Sequence, residues 1–319
     1  MDKFGWLSNK QTNMTCTSIY KKYINYKLNA KYGINNDNVM LSKSLDVYKK
    51  NIENDVILFN MKLYEDIEKD INNIIYYELF EIIKMCACDL GITSLYGNPI
   101  NVYIDSLNEE VIMNCLMMKK IKYTNVKDKK VKVNLIIKEI GDYNNINNYV
   151  YEMLKVMIDM NEMLNNGGNM LIKIGELTKK SIIDCVMIFS ALFDKVSIIK
   201  PSISNVYMND RYILCHNYSS KISKELINDV KMMMMMMIEK GNNEKVVLSL
   251  LDNECPKIFM NKFEEINVII GQQQMEYYDV VCSAMKHKNR EERLDVLRKN
   301  YRNRLLMLSD KRGAVCAGY

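Results

Sequence analysis

The chain has 319 residues, 48% of them hydrophobic, enough to bury a sizeable core without covalent staples. Its 44 basic and 39 acidic residues leave a formal net charge of +5, which permits a nucleic-acid partner without demanding one. No run of about 18 uncharged apolar residues occurs, so no membrane-spanning helix is expected and no membrane partner is implied.

Residues 1–54 are polar, with aromatic and basic positions interleaved (Tyr20, Lys21, Lys22, Tyr23, Tyr26, Lys27), and they read as a helical N-terminal extension. From residue 55 onward, short β-branched runs alternate with longer helical ones, the pattern of a parallel sheet covered by helices. Strands are predicted at 56–59, 102–104, 133–137, 170–174, 196–199 and 211–215. Helices are predicted at 64–88, 107–119, 147–164, 177–193, 221–240, 258–285 and 291–308. Lys200-Pro201 and the turn-rich stretch 202–209 leave no room for a crossover helix between the last two strands, which makes them antiparallel neighbours. Strand signals stop after Tyr218. The chain therefore divides into an extension (1–54), an α/β domain (55–218) and a C-terminal helical module (219–319).

Within that module, the methionine run 232–237 reads as adaptable core packing on a helix. The stretch 286–304, with Lys286, Lys288, Arg290, Arg293, Arg298, Arg302 and Arg304, forms a basic helix whose default is a solvated face and whose alternative is an RNA or acidic-protein contact. Nine cysteines scattered through apolar runs, with no secretory leader ahead of them, predict free thiols in a reducing, cytoplasmic setting. Cys86-Ala87-Cys88 and the two histidines lack zinc-site spacing, so no metal is expected.

The segment 164–218 carries Gly167-Gly168, Lys173 at the end of an apolar strand, Lys200-Pro201, Ser204, and Asp210-Arg211-Tyr212 opening another strand. In order and spacing these residues resemble the closing half of the FtsJ family of RNA ribose 2′-O-methyltransferases, particularly the mRNA-cap branch of large DNA viruses. Gly91-Ile92-Thr93 with Leu95-Tyr96-Gly97 is similar to a second stretch of that branch. The abundance of Asn, Ile, Lys, Tyr and Met with only 3 prolines fits an AT-rich genome of that kind. The resemblance implies a Rossmann-like methyltransferase sheet, mostly parallel with one antiparallel edge strand, S-adenosylmethionine as cofactor, and the capped 5′ end of mRNA as substrate.

Ribose methylation needs a group that lowers the cost of removing the 2′-hydroxyl proton, and a lysine does this as a neutral base or as a cation beside the alkoxide. The resemblance assigns this role to Lys173, flanked by Glu139 and Asp210. Asp142 is an alternative to Glu139, and Lys43 or Lys49 is the candidate for a further lysine. Methyltransferases of this fold carry a glycine-rich turn after the first strand, because only glycine lets the backbone approach the cofactor closely. No glycine lies between Gly33 and Gly91, and the turn's place falls on 60–65 or on 70–75, which includes Asn72 and Asn73. The implied cofactor contacts are Asn72, Asn73, Gly91 and Glu139, around a degenerate loop. The implied RNA contacts are Lys200, Ser204, Asn205 and Arg211. A second expectation follows from 248–253 with Phe259 and Asn261-Lys262-Phe263-Glu264, which resemble the helical tail of the poxvirus capping-enzyme small subunits: a non-catalytic subunit that binds a capping-enzyme catalytic chain.

Overall fold

The β-branched runs pair into a sheet and the amphipathic segments between them cover it. The computed structural model describes residues 14–20, 28–33, 74–92, 99–141, 145–175, 177–205, 208–219, 223–240, 246–252 and 255–310. In chain order the elements are β1 (Thr15–Tyr20), β2 (Leu28–Gly33), α1 (Ile74–Cys86), β3 (Ile100–Asp105), α2 (Glu109–Met118), β4 (Tyr123–Asn125), β5 (Val133–Glu139) and α3 (Ile146–Met163). They continue with β6 (Leu164–Ile174), α4 (Lys180–Leu192), β7 (Phe193–Lys200), β8 (Arg211–Tyr218), α5 (Ser223–Lys240), β9 (Val246–Leu251), α6 (Lys257–Met285) and α7 (Arg290–Asp310).

Seven strands form one sheet in the order β1-β7-β8-β6-β5-β3-β4, and β2 pairs with β9 in a separate ribbon. Strands β4, β3, β5 and β6 are parallel. Strand β8 is antiparallel to both β6 and β7, so β7 runs with the parallel set. Strand β1 is antiparallel to β7 and forms the edge. This is the α/β, Rossmann-like sheet expected from the sequence; β8, the antiparallel strand expected at the edge, lies between β6 and β7, and β1 supplies the antiparallel edge.

Side chains of a strand alternate between faces, and β6 shows what that does here. Met170, Ile172 and Ile174 join α3, α4 and α6 in one core, whereas Leu171 joins α1 and α2 in another. The first face is deep: Phe259, Phe263, Ile266 and Ile270 of α6, and Val247, Leu250 and Leu251 of β9, belong to the same core as α3 and α4. Asp184 of α4 fastens β9 there, accepting from the Leu250 and Leu251 backbone N–H groups at 2.8 and 3.2 Å. Asn145 caps α3 by accepting from the Asn147 and Asn148 N–H groups.

Several elements differ from the sequence reading. Part of the N-terminal segment expected to be helical supplies β1 and β2 instead. In β1, Thr17 and Ile19 are buried and Ser18 meets Ser197 of β7 at 2.8 Å, so a polar alternation is stabilised by an edge pairing that only the fold supplies. Strands β4 and β9 were not expected, and β9 lies in the region read as purely helical. The expected strand 56–59 and the first part of the helix 64–88 lie outside the described residues. In the methionine run, Met233, Met234 and Met237 are buried while Met232, Met235 and Met236 face outward. Among the described residues no helix is long and apolar enough to cross a membrane.

Candidate functional site at the carboxyl rim of the sheet

Lys173 sits one residue before the end of β6 and points to the face covered by α1. Its register partners are Glu139 at the end of β5 on one side and Tyr212 near the start of β8 on the other. Asp210 immediately precedes β8. Helix α1 is apolar on its buried face except for two carboxylates, Glu78 and Glu81, both buried. These elements converge on one ammonium: Lys173 Nζ lies 3.2 Å from Glu78 Oε2 and 3.3 Å from Asp210 Oδ2. The Tyr212 hydroxyl donates to the same Glu78 oxygen at 2.7 Å. The Lys173 and Asp210 side chains remain 13% and 15% exposed, against 2% for Glu78, so the cluster opens on the lysine and aspartate side.

The electrostatics follow from this packing. Burial alone lowers the pKa of the Lys173 ammonium, but Glu78, Asp210 and Glu139 outweigh it, and the net shift is upward. Lys173 is thus a fixed cation, not a neutral base. Burial pushes the Glu78 carboxyl up, an effect that Lys173 and the Tyr212 hydrogen bond reduce without reversing. Burial also acts upward on Asp210, but Lys200 and Lys173 hold its carboxyl below the usual range. The Tyr212 phenol is pushed well up by burial and by Glu78.

Lys200, expected at the RNA, lies inside. Its ammonium donates to the carbonyls of Asn205, Met208 and Asp210 at 3.2, 2.9 and 2.7 Å and meets Asp210 Oδ1 at 3.2 Å. Burial lowers its pKa, and Asp210 and Glu78 counter only part of that. Ser204, also buried, donates to the Pro201 carbonyl at 2.8 Å. Arg211 is buried on the opposite face, where Nη1 donates to Asn267 of α6 at 2.7 Å. These three side chains brace the 201–210 loop instead of facing solvent; Asn205 alone of the four expected RNA contacts is partly exposed. Glu81 finishes the brace, accepting from Ser202 Oγ at 2.7 Å and from the Ile203 N–H at 3.3 Å. The Tyr301 hydroxyl of α7 donates to the Ile203 carbonyl.

Glu139 faces a second neighbour. Its Oε2 accepts from Ser106 Oγ at 2.7 Å and from Asn108 Nδ2 at 3.1 Å, both in the turn between β3 and α2. The sheet order reverses between β3 and β5, because the chain leaves β3 toward β4 and returns to β5 on the other side. In open α/β sheets that crevice is where ligands bind. The turn that would line it is 106–108, Ser-Leu-Asn, with no glycine. The expectation placed this turn at 60–65, after a strand at 56–59, or at 70–75, by spacing back from Gly91; the described strand beside β5 is β3. Asn72, Asn73, Lys43, Lys49 and Asp142 lie outside the described residues.

Gly91 is at the other end of the sheet from Lys173. It follows α1 with φ +69°, and an added Cβ would fall 2.7 Å from the Asn169 amide. Asn169 precedes Lys173 by four residues, about 13 Å along the strand. Gly91 therefore serves a turn packed on the sheet and does not touch the Lys173 cluster. Glu78, Glu81, Ser106 and Asn108 complete the site without having been singled out from sequence, and Tyr212 was named there only as part of the Asp210-Arg211-Tyr212 motif. Two glutamates three residues apart in the otherwise apolar helix IIYYELFEIIKMC were the available signal, because buried carboxylates require partners. Among the described residues no group of His, Cys, Asp and Glu is arranged to hold a metal ion.

No protein-family model matches this chain, and no curated protein matches it. Among solved structures it is similar to phosphoethanolamine N-methyltransferase 2 of Haemonchus contortus. One such structure, with phosphomonomethylethanolamine and S-adenosylhomocysteine, has 13% identity and a TM-score of 0.31, covering 46% of this chain and 39% of that one. Another, with S-adenosyl-L-methionine, has 12% identity and a TM-score of 0.30 over the same shares. The chain thus spans about two fifths of the length of these structures, and a likeness this slight says nothing about the residues around Lys173.

Proposed function

We propose that the chain is an FtsJ-like, S-adenosylmethionine-type RNA ribose 2′-O-methyltransferase homologue acting at the capped 5′ end of mRNA. The observation that supports this reading is the meeting of Lys173 with Asp210 at 3.3 Å beside Glu139, at the carboxyl rim where a ligand of this fold would lie. The cofactor carries a sulfonium and an ammonium against one carboxylate, a net cation. The rim between β3 and β5 presents Glu139, which suits that charge, whereas Asp105 and Glu109 are already paired with Lys138 and Lys127. When bound, the cofactor supplies the methyl group. Glu139, oriented by Ser106 and Asn108, would hold its cationic end, and Lys173, as the ammonium, would stabilise negative charge on the 2′-oxygen as its proton passes to solvent.

The glycine-free turn favours a second reading. Without glycine the backbone at 106–108 cannot approach a ligand closely, and Glu109 and Glu110 already occupy the first turn of α2, where the helix dipole would otherwise attract the cofactor's carboxylate. On this reading the chain is a non-catalytic subunit that binds and stimulates a capping-enzyme catalytic chain. Calorimetric titration with S-adenosylmethionine separates the two. Saturable heat that Glu139→Ala removes, together with methyl transfer to capped RNA that Lys173→Ala abolishes, supports the enzyme. Absence of heat, with co-purification of a capping catalytic chain, overturns it in favour of the subunit.

A further inference from the structure

Helix α1 turns its two carboxylates and its aliphatic residues inward, and its partly exposed face carries a different set. Tyr76, Phe80 and Lys84 follow one another at four-residue spacing, which places them in one line along that face. The Tyr76 and Phe80 rings are stacked, with centroids 6.1 Å apart and planes at 29°. Lys119, at the end of α2, sets its ammonium 3.5 Å from the centre of the Phe80 ring. Burial lowers the pKa of Lys119, Lys84 lowers it further, and among the described residues no carboxylate acts on it. Lys120 and Lys122 are exposed in the turn that follows. The surface therefore combines stacked rings with positive charge.

From this juxtaposition we infer that the outer face of α1 and the end of α2 form a binding surface for single-stranded RNA, with bases on Tyr76 and Phe80 and phosphates on Lys84, Lys119, Lys120 and Lys122. Sequence-tolerant single-strand binding needs this combination, because every base has a face to stack and every nucleotide a phosphate to neutralise. The ammonium over Phe80 is a weak contact at a partly exposed site, so a base can displace it. Lys119 then turns to the neighbouring phosphate. A duplex, whose bases are already stacked, gains only the phosphate contacts. The surface shares with the proposed function only the choice of RNA as partner and requires no cofactor.

The test is fluorescence anisotropy of the full chain with a labelled oligouridylate, across a series of salt concentrations. Phe80→Ala is expected to weaken binding by about tenfold, within the range of one lost base stack. Lys84→Ala with Lys119→Ala should reduce the slope of log affinity against log salt by about 1.4, the value for two phosphate contacts on a single strand. A structural role for these lysines would not alter that slope. Duplex RNA of the same length should bind more weakly and be indifferent to Phe80→Ala. Single-strand affinity and salt slope unchanged in both variants, or a duplex bound as tightly as the single strand, would overturn the inference. The S-adenosylmethionine titration reads a different surface, so either result can fail while the other stands.

Discussion

The two faces of the sheet are built from the same strands and have been put to different uses. On the face bearing α3, α4, α6 and β9 the interior is continuous and apolar, rich in methionine, with Met153, Met157, Met160, Met163, Met170 and Met187 all buried. On the face bearing α1 and α2 the layer is thinner, and toward the carboxyl rim it gives way to Glu78, Glu81, Lys173 and Tyr212. Alternation along β6 separates the two uses within consecutive residues: Ile172 and Ile174 go to one side and Lys173 to the other. A buried charge on the thin side is tolerable only because each partner is supplied by a different element, α1, β6 and the loop before β8. The deep face buries Asp184 and Arg211 as well, each held by hydrogen bonds, but most of its stability rests on volume.

The sharpest way to break this comparison is to remove volume from the deep face at a residue of the C-terminal region. Phe263 of α6 is fully buried in the core shared with α3 and α4. Phe263→Ala should cost about 4 kcal/mol, measured by urea unfolding, and should shift one cooperative transition. Two transitions, with only one of them moved, would show that the region after Tyr218 holds its own core. On the thin face, Glu78→Ala leaves Tyr212 without its acceptor and Lys173 with Asp210 as its direct ion-pair partner and Glu139 beside it. The expected loss is about 3 kcal/mol, that of breaking a buried pair by removing one partner. Glu78→Gln, which keeps an acceptor for Tyr212, should lose less. Equal losses in the two variants would mean that the cavity and not the charge sets the effect.

How far the two faces could be read from sequence differs for a physical reason. The deep face announces itself through period: the helices 147–164 and 177–193 and the strands 133–137, 170–174 and 196–199 stand close to where α3, α4, β5, β6 and β7 lie. The strands that were missed lack that signal. β4 is three residues long, and β1 is polar and held by pairing with β7. β9, VVLSLL, is a short apolar run that periodicity cannot distinguish from a helix. At the rim, Lys173, Glu139 and Asp210 were legible because strand ends of this fold face the crevice. Glu78 was not, since its role depends on where α1 packs, and nothing in the helix's own spacing states that. Lys200, Ser204 and Arg211 were expected at RNA through the resemblance; here their polar groups are buried on the Asp210 and Pro201 carbonyls and on Asn267.

The smallest expected effect is also the most selective, because it depends on pH. The Asp210 carboxyl is held below its ordinary pKa by Lys200 and Lys173, so between the native and unfolded values the unfolded chain binds more protons and stability rises with pH. Its contribution is fully present above about pH 4, the unfolded carboxyl value, and is lost as pH falls through the native one. Asp210→Asn keeps the shape and an acceptor for Lys200 but cannot ionise. The variant should therefore be less stable than the natural chain at neutral pH, and the difference should shrink toward zero in acid. Glu78 has the opposite sign: its native pKa is raised, so its term falls as pH rises above the ordinary carboxyl range, in a separate window. A stability difference for Asp210→Asn that stays constant from neutral pH down to acid would show that ionisation of Asp210 contributes nothing. The charge balance around Lys173 would then rest on Glu78 and Glu139.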